Sequence, residues 1–169
     1  MDAIEAILTR RSIRRFADRS VSDEMVKELL KAAMYAPSAR NARSWHFVVI
    51  SDRQLLDAIP GFHPYSEMIK QAPIAILVCG DEQLEQRVGY WVQNCSAAVQ
   101  NVLLAAHALG LGAVWLGIYP NEERVEGMRR LTGVPAHIIP AALVVVGYPA
   151  EHPVAPNRYD PSRVHYDRW

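Results

Sequence analysis

The chain has 169 residues, half of them hydrophobic and 21% charged, with 18 basic side chains against 18 acidic ones. That composition suits a single globular domain over 1–169. It excludes a disordered chain, and it excludes a general nucleic-acid binder, which needs a basic surplus to displace counterions. Two cysteines, Cys79 and Cys95, exclude a disulfide framework and a cysteine-based zinc site.

Along the chain, residues 2–10 read as a short amphipathic helix capped by Asp2, with Ile4, Ile7 and Leu8 at helical spacing. An arginine-rich stretch follows: Arg10, Arg11, Arg14, Arg15 and Arg19. Ser22-Asp23-Glu24 opens a second helix, placing negative charge at the positive end of the helix dipole. Pro37 ends it, and residues 37–44 form a polar loop. Trp45 to Ile50 reads as a first strand, and 52–71 as short helices broken by Pro60-Gly61 and Pro64. Ile74 to Cys79 is a second, buried strand. Leu84 to Leu109 reads as the longest helix, apolar over most of its circumference from Cys95 onward, which suits a core or a subunit interface. Gly110-Leu111-Gly112 closes it, and Ala113 to Ile118 gives a third strand. Asn121-Glu122-Glu123 starts a helix to about Leu131, and Ile138 to Val146 is a fourth strand. Residues 150–169 form an extended tail ending in Tyr166 and Trp169, which suggests that it docks on a surface. Helices separate the strands, and two of them precede the first strand, so the class is α/β or α+β.

Several motifs fail. Gly110-Leu111-Gly112-Ala113-Val114-Trp115 resembles the start of a dinucleotide fingerprint, but its sixth position is tryptophan and it leads from helix to strand, the wrong order. There is no Walker A loop, no Gly-x-Ser-x-Gly elbow and no His-Glu-x-x-His pair; the six histidines are scattered and no metal site is expected. No run of ~18 uncharged apolar residues would cross a membrane. The acidic first residues do not read as a signal peptide, so a cytoplasmic location is expected. With no acid/base couple in evidence, a bound cofactor would have to carry any chemistry.

Three segments, taken together, say which. They are Arg10-Arg11-Ser12, the loop Pro37-Ser38-Ala39-Arg40-Asn41 running to Trp45-His46-Phe47, and Gly110-Leu111-Gly112-Ala113-Val114-Trp115-Leu116-Gly117. Their order and spacing, with a closing Arg163-Val164-His165-Tyr166-Asp167-Arg168-Trp169, resemble the FMN-dependent nitroreductase family over nearly the whole chain. The resemblance implies an α+β fold with a central, mostly antiparallel sheet flanked by helices. It also implies an intertwined homodimer with an exchanged C-terminal tail and FMN sites at the dimer interface. Arg10, Arg11 and Ser12 would hold the phosphate and ribityl end, with Arg14 also facing the flavin. Pro37, Ser38, Ala39 and Asn41 would border the ring from the other subunit, and Trp115, Leu116 and Gly117 would line it near N5. Arg163, with Arg158 as the lesser candidate, would complete a phosphate clamp, since a dianion needs about two cationic partners.

Two departures stand out. Arg43-Ser44 replaces the family's usual Gln-Pro before the tryptophan, and Tyr65 and Met68 stand where many longer members carry Asn and Lys. The implied activity is ping-pong oxidoreduction. Hydride would pass from NADH or NADPH to flavin N5 and then to a small-molecule acceptor such as a nitroaromatic or a quinone, with no catalytic side chain of the protein's own. Two alternatives stay open: a flavin-binding protein without turnover, and a flavin-fragmenting or dehalogenating enzyme of the same fold.

Overall fold

A computed structural model describes residues 1–85 and 88–169. The helices are α1 (Ala3–Thr9), α2 (Asp23–Met34), α3 (Arg53–Ala58), α4 (Tyr90–Ala108) and α5 (Glu122–Thr132). The strands are β1 (Trp45–Ile50), β2 (Ile74–Asp81), β3 (Gly112–Gly117) and β4 (Ile138–Gly147). They form one sheet in the order β1-β2-β4-β3, antiparallel throughout. The expected α+β class and antiparallel sheet are what the chain adopts.

The helix starts follow their capping residues. Asp2, Ser22, Asp52 and Asn121 each accept a backbone N–H of the first turn that would otherwise lack a partner. The long helix differs from its expected span of Leu84–Leu109. Leu84 closes a separate 3-10 turn over Glu82–Leu84, and α4 begins only at Tyr90. The cause is Gly89, whose φ of 93° lies in the left-handed region that a right-handed helix cannot include. Gln86 and Arg87, which fell inside the expected helix, lie outside the described residues.

The sheet has two covered faces, which is why β2 reads as an unbroken apolar run. Ile74, Ile76, Val78, Val144 and Val146 pack under α2 and α4. Ala75, Leu77, Cys79, Leu143 and Val145 pack on the other side against Ile13, Phe16, Leu56 and Met128. Pro140 has no N–H to give a ladder, and it sits opposite Cys79 at the point where the β2–β4 register shifts.

β3 is an edge strand, and half of its open edge is covered. Ser12 bridges Ala113 in parallel, and Ile13 N donates to Ala113 O at 3.0 Å. The approach is close: a Cβ on Gly112 would stand 2.8 Å from the Ile13 side chain, so that position needs glycine. The tail then zips onto the same segment. Ala17 N donates to Tyr148 O, Ala150 N donates to Arg15 O, and Phe16 bridges Pro149. Docking stops soon afterwards within the chain. Trp169 stacks on His165 of the tail itself, with ring centres 4.3 Å apart, and both Tyr166 and Trp169 are exposed to solvent.

Candidate functional site

Strand alternation organises the site. Because Ala113 turns its carbonyl outward to Ile13, the backbone groups of Trp115 and Gly117 also face the open edge, while those of Val114 and Leu116 face β4. Ser12 and Ile13 meet β3 at Ala113, with Arg10 and Arg11 just before them; from Arg14 the chain turns away from the strand to Glu151 and Ala150, beyond the end of β4. From Ala113 to Gly117 is about 13 Å. Among the described residues, the edge is thus paired with backbone from residues 12–13 at one end and with no backbone segment at the other.

At the basic end, the arginines divide by role. Arg11 is occupied by the protein: its guanidinium donates to Leu8 O at 2.9 Å, to Arg10 O at 2.5 Å and to Val154 O in the tail at 3.4 Å. It closes α1 and holds the tail. Arg10 is half-buried, and its pKa is held below the ordinary arginine value first by that burial, then by repulsion from Arg11 and Arg158. Arg158 is therefore the tail arginine whose charge reaches Arg10. Arg163 pairs with Asp160 at 3.1 Å and its side chain is 85% exposed. A cavity of about 350 Å³ opens beside Arg10, between α1, the end of α4 and the tail, with His107 and Glu151 on its wall. Glu151 fixes this corner, since one carboxylate oxygen accepts both Arg14 N at 2.5 Å and Arg15 N at 3.1 Å. His107 Nε2 lies 2.8 Å from Thr9 Oγ1, and that hydroxyl donates to Glu5 O, so the imidazole supplies the proton between them.

At the far end, Trp115 is partly exposed although most of β3 is buried, and Gly117 has nothing within 4 Å of where a Cβ would be. Neither tight packing nor φ demands a glycine at 117; its effect is to leave room. A cleft of about 170 Å³ runs beside these two residues, walled by Val92, Cys95 and Tyr119. Leu116 points the other way, into the core.

The loop from Pro37 to Ser44 is strained. Arg40, Asn41 and Arg43 all have positive φ, at 52°, 56° and 49°, an unusual cluster for side-chain-bearing residues. Asn94 holds it in place. This amide on α4 is only 4% exposed; it accepts Ala39 N at 3.0 Å through Oδ1 and donates through Nδ2 to Ser44 Oγ at 2.9 Å. Ser38 Oγ accepts Arg43 N, and Ser44 O accepts Asp81 N. Pro37 and Asn41 are exposed, and Ser38 and Ala39 are partly so. Ser44, one of the departures from the family pattern, is thereby explained: it is fully buried and joins the loop to α4 and β2. Sequence reading missed Asn94 and Glu151. Asn94 is one of four amides in that helix, with Gln93, Gln100 and Asn101, so nothing in the sequence singles it out.

Of the expected residues, Arg10, Arg11 and Ser12 gather at the start of β3, the strand that also carries Trp115 and Gly117, while Arg14 is held beside Glu151. The loop 37–41 is anchored instead at the α4 face. Arg163 is not brought to the arginine cluster within the chain. Among the described residues no metal-binding cluster and no helix able to cross a membrane is found.

Comparison with known proteins agrees with this architecture. The nitroreductase family profile matches residues 7–62 and 62–148. A Methanothermobacter thermautotrophicus protein named "Putative NADH dehydrogenase/NAD(P)H nitroreductase" is 54% identical, over 100% of this chain and 88% of its own. An FMN-dependent nitroreductase from Clostridium difficile superimposes with a TM-score of 0.91 at 28% identity, over 98% of this chain and 99% of its own. A Desulfovibrio desulfuricans structure solved in complex with FMN does so with a TM-score of 0.85 at 35% identity, over 98% and 96%. With an antiparallel sheet, an arginine-flanked strand edge and a profile match across most of its length, this chain belongs to the nitroreductase family.

Proposed function

We propose that the chain is an FMN-dependent NAD(P)H oxidoreductase that reduces a small organic acceptor in ping-pong fashion. The observation that carries this reading is the β3 edge, where an uncompensated arginine cluster and an open, glycine-floored stretch lie about 13 Å apart along one strand. That layout fits a cofactor with a phosphate at one end and a flat ring at the other. When bound, FMN supplies the two-electron chemistry, taking a hydride from NAD(P)H and giving it up to the acceptor.

The protein's residues bind and orient. Half-buried Arg10 and exposed Arg158 form a cationic pair for the phosphate, with Arg163 the weaker candidate because Asp160 already takes its charge. Arg11 supports Arg10 from behind rather than holding phosphate. Ser12 lies on the same edge beside Ala113, and Arg14, held at its backbone by Glu151, would face the flavin through its exposed side chain. Gly117 leaves the space, Trp115 gives an apolar wall, and outward amides at the edge offer donors to polar ring atoms.

Pro37, Ser38, Ala39 and Asn41 serve a second copy of the chain in a homodimer. Support for that partner comes from apolar side chains left in solvent: Ile4, Ile7 and Leu8 on α1, Tyr35 after α2, and Tyr166 and Trp169 in the tail. The tail, 150–169, reaches the partner beyond its docked start.

The test is the absorption spectrum of the purified protein, before and after NADH or NADPH is added without oxygen. A flavin spectrum that bleaches is expected, and the more effective nucleotide is the donor. A flavin spectrum that does not bleach would favour a binding protein, and a protein that takes up no FMN on reconstitution would overturn the reading. For the clamp, Arg10→Ala with Arg158→Ala should release FMN where Arg10→Ala with Arg163→Ala retains part of it.

A further inference from the structure

The Gly117 carbonyl is held twice from outside the sheet. His63 Nε2 lies 3.1 Å from Gly117 O, and Arg124 Nη1 lies 2.9 Å from it. His63 comes from the turn after α3, where its N–H donates to Ile59 O and its carbonyl accepts Ser66 Oγ. Arg124 comes from the first turn of α5, where Asn121 Oδ1 accepts its backbone N–H. Two rigid turns, far apart in sequence, therefore converge on one glycine.

Neither side chain is explained by packing. His63 is 1% exposed, and with Nε2 donating to a carbonyl, Nδ1 must be an acceptor; it is buried and has no partner. A leucine would fill the same space without an orphaned acceptor, so what the imidazole adds is its bond to Gly117. Burial keeps the ring neutral, lowering its pKa. Among the described residues, Arg124 makes no ion pair. Its guanidinium lies 5.5 Å from the centre of the Tyr65 ring and otherwise donates to Gly117. Its positive charge is thus left uncompensated beside the open edge.

A glycine that leaves space for a ring also gives up the restraint of a side chain. The two donors restore that restraint. We propose that His63 and Arg124 are positioning residues of the cofactor site: both fix the Gly117 peptide at the edge of β3, and Arg124 also places there a charge that favours the reduced, electron-rich form of a bound ring. This rests on the FMN reading above.

The experiment compares FMN-loaded wild type with Arg124→Gln, Arg124→Lys, His63→Leu and His63→Gln. It measures the midpoint potential of the bound flavin and the thermal midpoint of each protein. Arg124→Gln is expected to weaken the grip on reduced FMN about tenfold relative to oxidised FMN, ~30 mV in a two-electron couple. Arg124→Lys keeps the charge and should recover most of it. His63→Leu should lower the potential by a smaller amount, with His63→Gln, which keeps a donor, close to wild type. Unchanged potentials in both Arg124→Gln and His63→Leu would overturn the proposal, even if the thermal midpoints fall. Should His63→Leu fail to fold, the Arg124 pair decides alone. A wild type that binds no FMN would instead show that the underlying reading fails.

Discussion

The two arginine-bearing stretches of the site are built in opposite ways. Residues 10–17 are extended and zipped on both sides by backbone hydrogen bonds, to β3 and to the start of the tail. Residues 37–44 hold three left-handed residues and depend on side chains, chiefly Asn94 and Ser44. The first stretch is placed by sheet geometry, so its side chains are free to vary in role, as Arg10 and Arg11 do. The second has an unfavourable backbone, and a few polar contacts hold it. Damage should therefore be concentrated in the loop's anchors and spread out along the zipped segment.

The sharpest way to break that contrast is Asn94→Leu. It leaves the partly buried Ala39 N–H and the fully buried Ser44 Oγ without their partner. The expected loss is about 2–4 kcal/mol of stability in urea unfolding, with FMN retention falling alongside. A loss below ~1 kcal/mol would mean that the loop is held by something else. Glu151→Gln probes the other stretch. It weakens two charge-assisted bonds to Arg14 and Arg15, but Ala150, Tyr148 and Phe16 keep the segment paired. A loss of about 1–2 kcal/mol is expected, with faster proteolysis confined to the tail.

The same contrast decides what could be read from sequence. All four strands and the starts of α1, α2 and α5 were legible, because apolar periodicity and capping residues act locally. The start of α4 was not, since Leu84 continues the apolar pattern and only the left-handed turn at Gly89 breaks it. The basic edge was legible as residue types. The division between Arg10 and Arg11 was not, because it depends on Val154 and Arg158, more than 140 positions away. Asn94, His63 and Arg124 escaped notice for the same reason: each acts on a backbone group in another element, and no local spacing announces it.

Arg10 and Arg11 offer a finer test. Arg10→Ala removes a cation from a crowded cluster, so it should cost little stability and weaken FMN binding at least tenfold. Arg11→Ala leaves Leu8 O and Val154 O without a donor, so it should cost about 1 kcal/mol of stability and weaken FMN binding less. Equal effects on both quantities would erase the distinction between them.

The smallest effect is on pH dependence. His63 and His107 both have folded pKa values below the ordinary histidine value of 6.5, in each case chiefly through burial, and for His107 also through Arg10 and Arg11. The unfolded chain therefore takes up these protons first. Stability present above about pH 6.5 should decline as the pH falls below it, with unfolding midpoints at pH 7.5 and 5.5 giving the check. His107 adds a local readout of the arginine cluster. Followed by NMR titration, its pKa should rise in Arg10→Ala, because one repelling charge is gone. It should also rise when FMN binds, because a phosphate neutralises the same charges. A His107 pKa that moves with the mutation but not with FMN would place the phosphate away from Arg10, and the basic end of the β3 edge would then need another ligand.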